Sequence, residues 1–277
     1  MMFVTGAGGN VGRAIVADLQ QRGMAYRIGA RTGRDQPHMV PFDFLKPETF
    51  GAAIADCKAL FLLRPPAVAN TKATLNPFID VARKAGVEQI VFISVAGAAD
   101  KPWVPHYAVE QHLKAGPLGW TILRPGFFAQ NLGDAYRDDI VHDHRIYVPA
   151  AQGRVAFIDA RDIAAVAVAA FRDPATHAGQ SYTLTGPEAV TFDQVATMLS
   201  AELGRPIRVE AASLLSYVRH LKRRGLPWMQ ILVQTLLHRG LRMGEAEAVT
   251  DTVPTLLGRP ACSLAEYIHD HRELWAA

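Results

Sequence analysis

The chain has 277 residues, of which 49% are hydrophobic, 20% are charged and 8% are aromatic. This is the composition of an ordinary globular protein, and it excludes the disordered, collagen-like and coiled-coil classes. The net charge of +3 is too small to indicate a nucleic-acid partner or an anionic membrane.

The cysteines and the apolar runs bear on the cellular compartment. Cys57 and Cys262 lie far apart and form no metal or dithiol motif, which favours a reducing cytoplasm. The longest apolar run, residues 163–171, has nine residues, whereas a membrane span needs about 18 to 20. The first residues show no targeting signal. We therefore expect a cytoplasmic protein, monomeric or homodimeric, with no membrane or nucleic-acid partner.

The apolar pattern changes along the chain near residue 125. Before that point, short apolar runs alternate with segments of helical periodicity, which predicts βα units on a parallel sheet. The predicted strands cover residues 2–5, 26–30, 59–63, 89–94 and 120–123, and the predicted helices cover 10–22, 47–55, 71–85 and 106–115. After residue 124 we predict helices at 128–141, 161–171 and 191–203 and a strand at 180–185. Thr191 with Gln194, and Ser263 with Glu266, have the spacing of reciprocal capping boxes at helix starts, and Gly204 is predicted to end the helix at 191–203.

These elements predict an α/β fold, a Rossmann-type doubly wound parallel sheet with a small carboxy-terminal α+β substrate lobe. We expect the first domain to cover residues 1–150 and the smaller lobe to cover residues 151–277, with some later segments returning to the first domain.

A glycine-rich turn follows the first predicted strand directly. Residues 5–13 read TGAGGNVGR and place Gly6, Gly9 and Gly12 at intervals of three. Between a strand and a helix, such glycines allow a tight turn, let a pyrophosphate approach the backbone and bring the helix close to the strand. The N–H groups at the helix start attract phosphate. The turn predicts a dinucleotide site, and a glycine-rich turn without a ligand is the alternative.

The end of the second strand indicates which dinucleotide is bound. NAD-binding proteins place an acidic residue there, about 20 residues past the glycines, on the ribose 2′-hydroxyl. Arg31 occupies this place and Arg34 is close by. A guanidinium binds a 2′-phosphate through paired hydrogen bonds, which favours NADP(H). In the alternative, both arginines are solvated and Asp35 contacts the ribose.

Several further motifs occur in the order found in one group of enzymes. They accompany the glycine turn and Arg31, and they are Phe42-Asp43, residues 93–98 (ISVAGA), 123–131 (LRPGFFAQN), 158–164 (IDARDIA), 184–188 (LTGPE) and 251–254 (DTVP). Together they resemble the NmrA-like atypical short-chain dehydrogenases/reductases, and the likeness covers essentially the whole chain. The group includes quinone, azo-dye, triphenylmethane-dye and ergot-alkaloid imine reductases, and members thought only to sense the nucleotide.

The resemblance implies an NAD(P)-binding fold whose small carboxy-terminal lobe closes a substrate cleft. It implies that Arg31 holds the 2′-phosphate, that Asp43 lies by the adenine, that residues 63–65 line the pyrophosphate and nicotinamide ribose, and that residues 125–128 flank the nicotinamide. The expected cofactor-binding residues are Gly6, Gly9, Asn10, Val11, Gly12, Arg31, Asp43, Leu63, Arg64, Pro65, Ser94, Pro125 and Phe127.

The proton donor of ordinary short-chain reductases is incomplete in this sequence. Those enzymes use a Ser after the fifth strand and a Tyr-x-x-x-Lys motif. Ser94 and Tyr107 are present, but Gln111 replaces the lysine that would activate the tyrosine.

His106 and Glu110 share one face of the same predicted helix, a pattern similar to that of NmrA-like members. Glu110 would orient His106 or raise its pKa. The candidate catalytic residues are therefore His106, Tyr107 and Glu110. In the alternative, His106 caps the helix and Glu110 forms a solvated ion pair.

The missing lysine also bears on the acceptor. Simple aldehydes and ketones need a donor beside the developing alkoxide, whereas quinones, azo compounds and cyclic imines accept hydride more readily. We therefore predict an NADPH-dependent reductase with an apolar or aromatic small-molecule substrate. A non-catalytic NADP(H)-sensing regulatory protein that binds a protein partner is the alternative.

Three other features of the sequence each allow a simple interpretation. One segment of the carboxy-terminal lobe is rich in apolar residues, which we interpret as a lid over a flat substrate or, in the alternative, as core or a subunit interface; they are Trp228, Met229, Ile231, Leu232, Leu236 and Leu237. The histidines at 142/144 and 269/271 do not converge on a helix, so we predict no metal site. The basic run 219–224 is interpreted as a solvated helix end.

Overall fold

The computed structural model describes residues 1–32, 38–150 and 152–276. Arg34 and Asp35, the other residues predicted near the ribose, lie outside these ranges. The strands of the described residues are β1 (Met2–Val4), β2 (Tyr26–Ala30), β3 (Met39–Pro41), β4 (Ala59–Leu63), β5 (Gln89–Ile93), β6 (Gly119–Pro125), β7 (Phe127–Phe128), β8 (Arg145–Val148), β9 (Arg154–Val155), β10 (Phe157–Ile158), β11 (Gln180–Leu184), β12 (Val190–Thr191) and β13 (Arg208–Ala211). The α-helices are α1 (Asn10–Gln21), α2 (Phe50–Ile54), α3 (Leu75–Lys84), α4 (Pro105–Lys114), α5 (Arg137–His142), α6 (Ala160–Arg172), α7 (Pro174–His177), α8 (Phe192–Leu203), α9 (Leu214–Arg223), α10 (Trp228–Arg242), α11 (Thr252–Leu257) and α12 (Leu264–Asp270).

The chain divides into two compact units, each made of separate segments. The first unit comprises Met1–Pro125, Ala160–Leu184 and Thr252–Arg259. The second unit comprises Gly126–Asp159, Thr185–Asp251 and Pro260–Ala277. The boundary predicted at residue 150 therefore lies inside a segment of the second unit.

The first unit contains a seven-stranded sheet in the order β11-β6-β5-β4-β1-β2-β3. Every neighbouring pair in this sheet is parallel. This confirms the predicted Rossmann-type α/β fold. Strands β2 and β4 have the predicted bounds, whereas the three-residue edge strand β3 was not predicted because it is short and ends at Pro41.

Both faces of the sheet are buried, as a parallel sheet requires. In β4, Leu60 and Leu62 belong to a hydrophobic cluster that includes Phe50 of α2 and Phe78 of α3. Phe61, between them, points to the opposite face and is also fully buried. A second pair of helices, α1 and α6, packs together, and α6 contacts β5 and β6. The alternating side chains of each strand therefore fill two layers of core.

The second unit has its own core and three pairs of short strands. Strand β7 pairs with β10 and β8 with β13 in parallel, and β9 pairs with β12 in antiparallel orientation. Side chains from α5, α8, α10 and α12 meet in one cluster, to which Trp275 contributes a fully buried ring. This unit is an α+β structure.

The predicted helix at residues 128–141 is wrong over its first part. Phe127 and Phe128 instead form β7, which pairs with β10, and residues 129–132 form a 3₁₀ turn before α5. Gly133 lies between these elements, and a Cβ atom there would approach Leu274 Cδ1 to 2.6 Å. The apolar spacing suggested one helix, but strand pairing and this close approach divide the segment.

The predicted helix ends after residue 190 are confirmed by side-chain geometry. Thr191 and Gln194 form a reciprocal capping box at the start of α8, and Ser263 and Glu266 form one at the start of α12. Gly204, with φ of +62°, ends α8. Among the helices of the described residues, none combines the length and apolar character that a bilayer crossing needs.

Candidate functional site

All of the residues predicted to bind a dinucleotide except Phe127 lie in the first unit, and most of them follow the carboxyl ends of its strands. The chain proceeds from β1 to β2 and β3 on one side of the sheet, and from β4 to β5 and β6 on the other. The point between β1 and β4, where the strand order reverses, is where open α/β sheets bind ligands. The glycine turn follows β1, and residues 63–65 end β4 and continue beyond it, so both border this point.

Hydrogen bonds fasten the start of the glycine turn to β4. The Thr5 N–H donates to the Phe61 carbonyl at 3.1 Å, and the Leu63 N–H donates to Thr5 Oγ1 at 2.8 Å. Gly6 has a φ of +68°, and a Cβ atom there would lie 2.7 Å from Leu63 Cδ2. Only glycine combines this backbone angle with this proximity to Leu63.

The other two glycines of the turn have different surroundings. A Cβ atom on Gly12 would lie 2.1 Å from the Gly6 carbonyl oxygen, so Gly12 is needed for α1 to pack on the turn. A Cβ atom on Gly9 would lie 3.5 Å from the same oxygen, which is ordinary contact. The protein's own packing therefore tolerates a side chain at Gly9 but not at Gly12.

The start of α1 presents backbone amides that no side chain caps. Gly9 is the N-cap residue, and no side-chain hydrogen bond covers the helix start. Arg13 folds back on the turn, where its Nη1 donates to the Gly8 carbonyl at 2.7 Å and its Nη2 to Asn10 Oδ1 at 2.6 Å. Val11 is buried. The first-turn amides and the helix dipole therefore favour an anion at this end.

Arg31 and Asp43 follow neighbouring strands at the same edge of the sheet. Arg31 comes directly after β2 and is exposed, and its side chain forms no ion pair or hydrogen bond within the described ranges. Asp43 comes shortly after β3, and its Oδ1 accepts a hydrogen bond from the Leu45 N–H at 3.0 Å. Arg31 therefore has no anionic partner among the described residues, whereas Asp43 stabilises its own turn.

Partly buried Arg64 and buried His106 form a pair beyond the end of β4. The Nη1 of Arg64 donates to the carbonyls of Pro65, Pro66 and Val68, and its Nε donates to His106 Nε2 at 3.2 Å. Because a guanidinium only donates, His106 Nε2 must accept, which puts the single ring proton of a neutral imidazole on Nδ1. This Nδ1 is buried and has no hydrogen-bond partner in the part of the chain that the structure describes.

His106 is neutral in this environment. Burial, followed by the positive charge of Arg64, lowers the pKa of His106 from 6.5 to about 3, and the opposing effect of Glu110 is smaller. The net shift is opposite in direction to the one that the His106–Glu110 spacing predicted. The main reason is burial of the imidazole, and the second is the charge of Arg64. The position of Arg64 next to His106 could not be read from a separation of 42 residues.

Glu110 lies in a polar cluster that sequence reasoning did not assemble. Its Oε1 accepts hydrogen bonds from Ser94 Oγ at 2.6 Å and from Arg124 Nε at 3.0 Å. Its Oε2 accepts from Arg124 Nη2 at 2.5 Å and lies 3.6 Å from Lys114 Nζ. The Glu110 side chain is fully buried. The sequence could have indicated Lys114 as a partner of Glu110, because it lies four residues further along α4. It could not have indicated Arg124, because that residue comes from β6.

The Glu110 carboxylate stays ionised. Burial acts to raise its pKa, but hydrogen bonds from Arg124 and Ser94 and the charges of Arg124 and Lys114 bring the pKa below its usual value. It accepts its hydrogen bonds from Ser94 and Arg124, and it forms none with His106. The alternative interpretation fails as well, because no side chain caps α4 and Glu110 is not solvated.

The remaining predicted residues occupy three different environments. Tyr107 is partly exposed on α4, next to His106. Pro125 is buried at the end of β6, and its carbonyl accepts from the Ala96 N–H at 3.0 Å, which holds the loop after Ser94 beside it. Phe127 belongs to the second unit, where its ring contacts Phe157 edge-to-face.

The histidines and the basic run can now be placed. Within residues 1–32, 38–150 and 152–276, no group of three or more His, Cys, Asp or Glu side chains could hold a metal ion. In the basic run, Arg219 is exposed. His220 is buried, and its Nε2 lies 3.0 Å from Asp139 Oδ2. Arg224 Nη2 forms an ion pair with Asp138 Oδ2 at 2.5 Å. The run is therefore only partly a solvated helix end.

Comparisons with known proteins bear on this site. The model of a family described as NAD(P)H-binding matches residues 6–174. An NAD(P)H azoreductase from Xenophilus azovorans is 32% identical over the whole of both chains. An agroclavine dehydrogenase from Claviceps fusiformis is 27% identical over 99% of this chain and 98% of its own. The triphenylmethane reductase of a Citrobacter species has a similar fold, with a TM-score of 0.87 at 21% identity over 98% of this chain and 99% of its own.

The Arg64–His106 pair predicts a measurable protonation state. Histidine ¹⁵N spectra should show His106 as the Nδ1–H tautomer, with no titration between pH 5 and pH 8, and the His106→Gln variant assigns the signal. Because the folded pKa is about 3 and the ordinary value is 6.5, unfolding takes up a proton below pH 6.5. The free energy of unfolding should therefore fall as the pH decreases from 6.5 towards 3, by about 1.4 kcal/mol per pH unit from this group.

The control for this prediction is Arg64→Leu. It removes the donor to Nε2 and the neighbouring charge, so the pKa of His106 should rise towards its ordinary value. Urea unfolding of the His106→Gln variant should lack this part of the pH dependence. A wild-type His106 signal that titrates between pH 6 and pH 7 would contradict the assignment.

Proposed function

Because the chain belongs to the NAD(P)H-binding family and, within it, to the NmrA-like atypical short-chain dehydrogenases/reductases, we propose that it reduces a conjugated small molecule with hydride from NADPH. The acceptor classes are quinones, azo compounds and cyclic imines. The observation that carries this choice is the Ser94–Glu110–Arg124 cluster, in which the serine of the usual proton relay donates its hydroxyl proton to Glu110.

The glycine turn fits the pyrophosphate of NAD(P)H. The Cβ positions show that Gly6 and Gly12 serve the packing of the turn, whereas Gly9 has room on the protein side. A glycine that packing does not require, at the uncapped start of a helix, leaves the backbone amides open to a phosphate. Arg13 holds the turn through Gly8 and Asn10. Gly9, Asn10, Val11 and the turn around them would hold the diphosphate.

Arg31 supports the choice of NADPH over NADH. It is exposed, it follows β2, and it has no anionic partner within the described residues. A guanidinium at the end of the second strand binds a 2′-phosphate and offers nothing comparable to a 2′-hydroxyl. We assign Arg31 to the 2′-phosphate and Asp43 to the adenine side of the site. Residues 63–65, Ser94 and Pro125 are proposed to line the ribose and nicotinamide.

The bound cofactor supplies a hydride, and the chain's part is to place the acceptor and manage the proton. Ser94 cannot donate to a substrate in this arrangement, because its hydroxyl proton is directed at Glu110 Oε1. Glu110 cannot donate either, because Arg124 keeps it ionised. Two groups that would serve as a relay therefore stabilise each other instead.

Tyr107 and His106 are the remaining candidate proton donors from the sequence analysis. Tyr107 has no lysine four residues on, because Gln111 stands there and is exposed. His106 is neutral and carries its proton on Nδ1, so it contributes a hydrogen bond and not an acidic imidazolium. We propose that His106 polarises a bound oxygen or nitrogen atom in this neutral form, and that Glu110 fixes Ser94 and Arg124.

A site without a strong acid favours acceptors whose reduced form needs none. Hydride transfer to a simple ketone develops an alkoxide that must be protonated or held by a preorganised donor. The anion of a reduced quinone or azo compound is delocalised, and a reduced iminium ion is neutral. The names of two relatives, an azoreductase and an agroclavine dehydrogenase, support these classes.

A panel of acceptors tests the proposed activity. Purified protein should oxidise NADPH when given quinones, azo dyes or cyclic imines, and should be inactive with simple aldehydes and ketones. Oxidation is measured as the loss of absorbance of the reduced nicotinamide. Tight NADPH binding with no turnover across the panel would contradict the proposal and favour the nucleotide-sensing alternative.

Tyr107→Phe is the matched variant for the panel. We expect its rate with a quinone to stay within about threefold of wild type, because a general acid is worth about 100-fold or more. A loss of that larger size would show that the Tyr107 hydroxyl donates the proton, and the argument from Gln111 would fail.

Arg31→Ala tests the cofactor preference. Loss of a charge-assisted contact to the 2′-phosphate should raise the KM for NADPH by about 10-fold to 100-fold. The KM for NADH should change by less than about threefold, since the 2′-hydroxyl carries no charge. Arg22→Ala, which removes an exposed arginine that pairs with Asp18 at the far end of α1, is the control. Equal losses for both cofactors would show that Arg31 does not distinguish them.

A further inference from the structure

Helices α9 and α10 form a hairpin in the second unit that buries only one side. Tyr217 and Leu221 of α9 and Ile231 of α10 meet in a small hydrophobic cluster. The partly buried side chains of Tyr147 and Leu226 pack against it. On the opposite side of α10, no described residue forms a comparable cluster, and the large apolar side chains are exposed.

Six large apolar side chains cover this outer side of α10. We call them the apolar face: Trp228, Met229, Leu232, Val233, Leu236 and Leu237. Their spacing of one, three and four residues places them along one side of a helix. Each is between 40% and 66% exposed, whereas Ile231 on the other side is 2% exposed. The core interpretation of this segment is therefore wrong for every member except Ile231.

The size of the apolar face is unusual for a surface that stays exposed. With side chains of up to about 250 Å² each, the exposed fractions leave on the order of 600 Å² of apolar area, at the upper end for a monomeric protein. Two such faces brought together bury about 1,200 Å², which reaches the range of specific protein interfaces. No charged residue occurs from Trp228 to Leu237, so desolvation there carries no ionic cost.

The charges around the apolar face limit how two copies can pair. Residues 211–244 contain no Asp or Glu, and the five cations at 219, 222, 223, 239 and 242 are exposed and without an ion pair in the described chain. A parallel pairing of two α10 helices would bring the cations at 239 and 242 of both copies together. In an antiparallel pairing they stand at opposite ends, about 16 Å apart along the axis, which exceeds the Debye length of about 8 Å.

We propose that the apolar face of α10 is the contact surface for a second copy of this chain, in a two-fold symmetric dimer with antiparallel α10 helices. A two-fold axis makes the contact self-complementary, so one apolar face covers the other. Arg239 lies eleven residues after Trp228 on the same side of α10. In the dimer it lies beside the partner subunit's Trp228, where a guanidinium over an indole ring is stabilising.

Sedimentation equilibrium of the full chain at low and high salt tests this proposal. Wild type is expected to be a dimer, and high salt should leave the association unchanged or strengthen it by screening the flanking cations. Val233→Glu and Leu236→Glu should each weaken association by about 100-fold, because each buries an unpaired charge. Val249→Glu is the matched control, an exposed valine outside α10, and should leave association within about threefold.

Thermal melting shows whether each variant still folds, because variants at exposed positions should unfold near the wild-type temperature. The rate of NADPH oxidation per chain is measured on the same variants, so that a loss of association can be told apart from a failure of the proposed function. A monomeric wild type, or a control variant as weakened as the α10 variants, would overturn the dimer. A raised KM for the acceptor in Val233→Glu with unchanged association would overturn it and assign the face to a substrate lid. Salt-sensitive binding of a monomeric chain to phosphatidylglycerol vesicles would overturn it in favour of an anionic partner.

Discussion

The close approach of three backbone segments at the start of α1 is the constraint on which the rest of the site depends. Gly12 lets the helix contact the Gly6 carbonyl, and Gly6 lets the turn lie against Leu63 at the end of β4. Thr5 secures this contact with hydrogen bonds to β4. The strands on either side of the switch point are thereby held in register with the helix start. An uncapped row of amides then stands beside the loop that carries Arg64.

The second determinant is a buried ion pair that binds the Ser94 hydroxyl. Arg124 from β6 and Glu110 from α4 satisfy each other in a buried environment, and Ser94 completes the set. Removing one partner from such a pair leaves an uncompensated charge, so the cluster resists change. It also directs the Ser94 hydroxyl proton to Glu110. The same three side chains therefore stabilise the fold through a buried ion pair and fix the direction of the Ser94 hydroxyl proton.

Local patterns were read correctly where one periodicity ran uninterrupted. Strands β2 and β4 have their predicted bounds, and the capping boxes at Thr191 and Ser263 occur as the sequence indicated. The prediction at 128–141 failed because pairing of β7 with β10 depends on residues about thirty positions away. Arg64 next to His106, and Arg124 on Glu110, are contacts of the same non-local kind. The sequence indicated candidate residues for this site, but only the fold showed their partners.

The central claim is that the glycine turn exists to receive a phosphate group, and Gly9→Ala tests it most directly. Among the described residues the added methyl group meets nothing closer than 3.5 Å, so the variant should unfold at the wild-type temperature. The same methyl group should lie where a diphosphate approaches the backbone. Calorimetric titration with NADPH should show binding to wild type and at least about tenfold weaker binding to Gly9→Ala. Equal affinity in the two proteins, or no heat with wild type, would contradict the account.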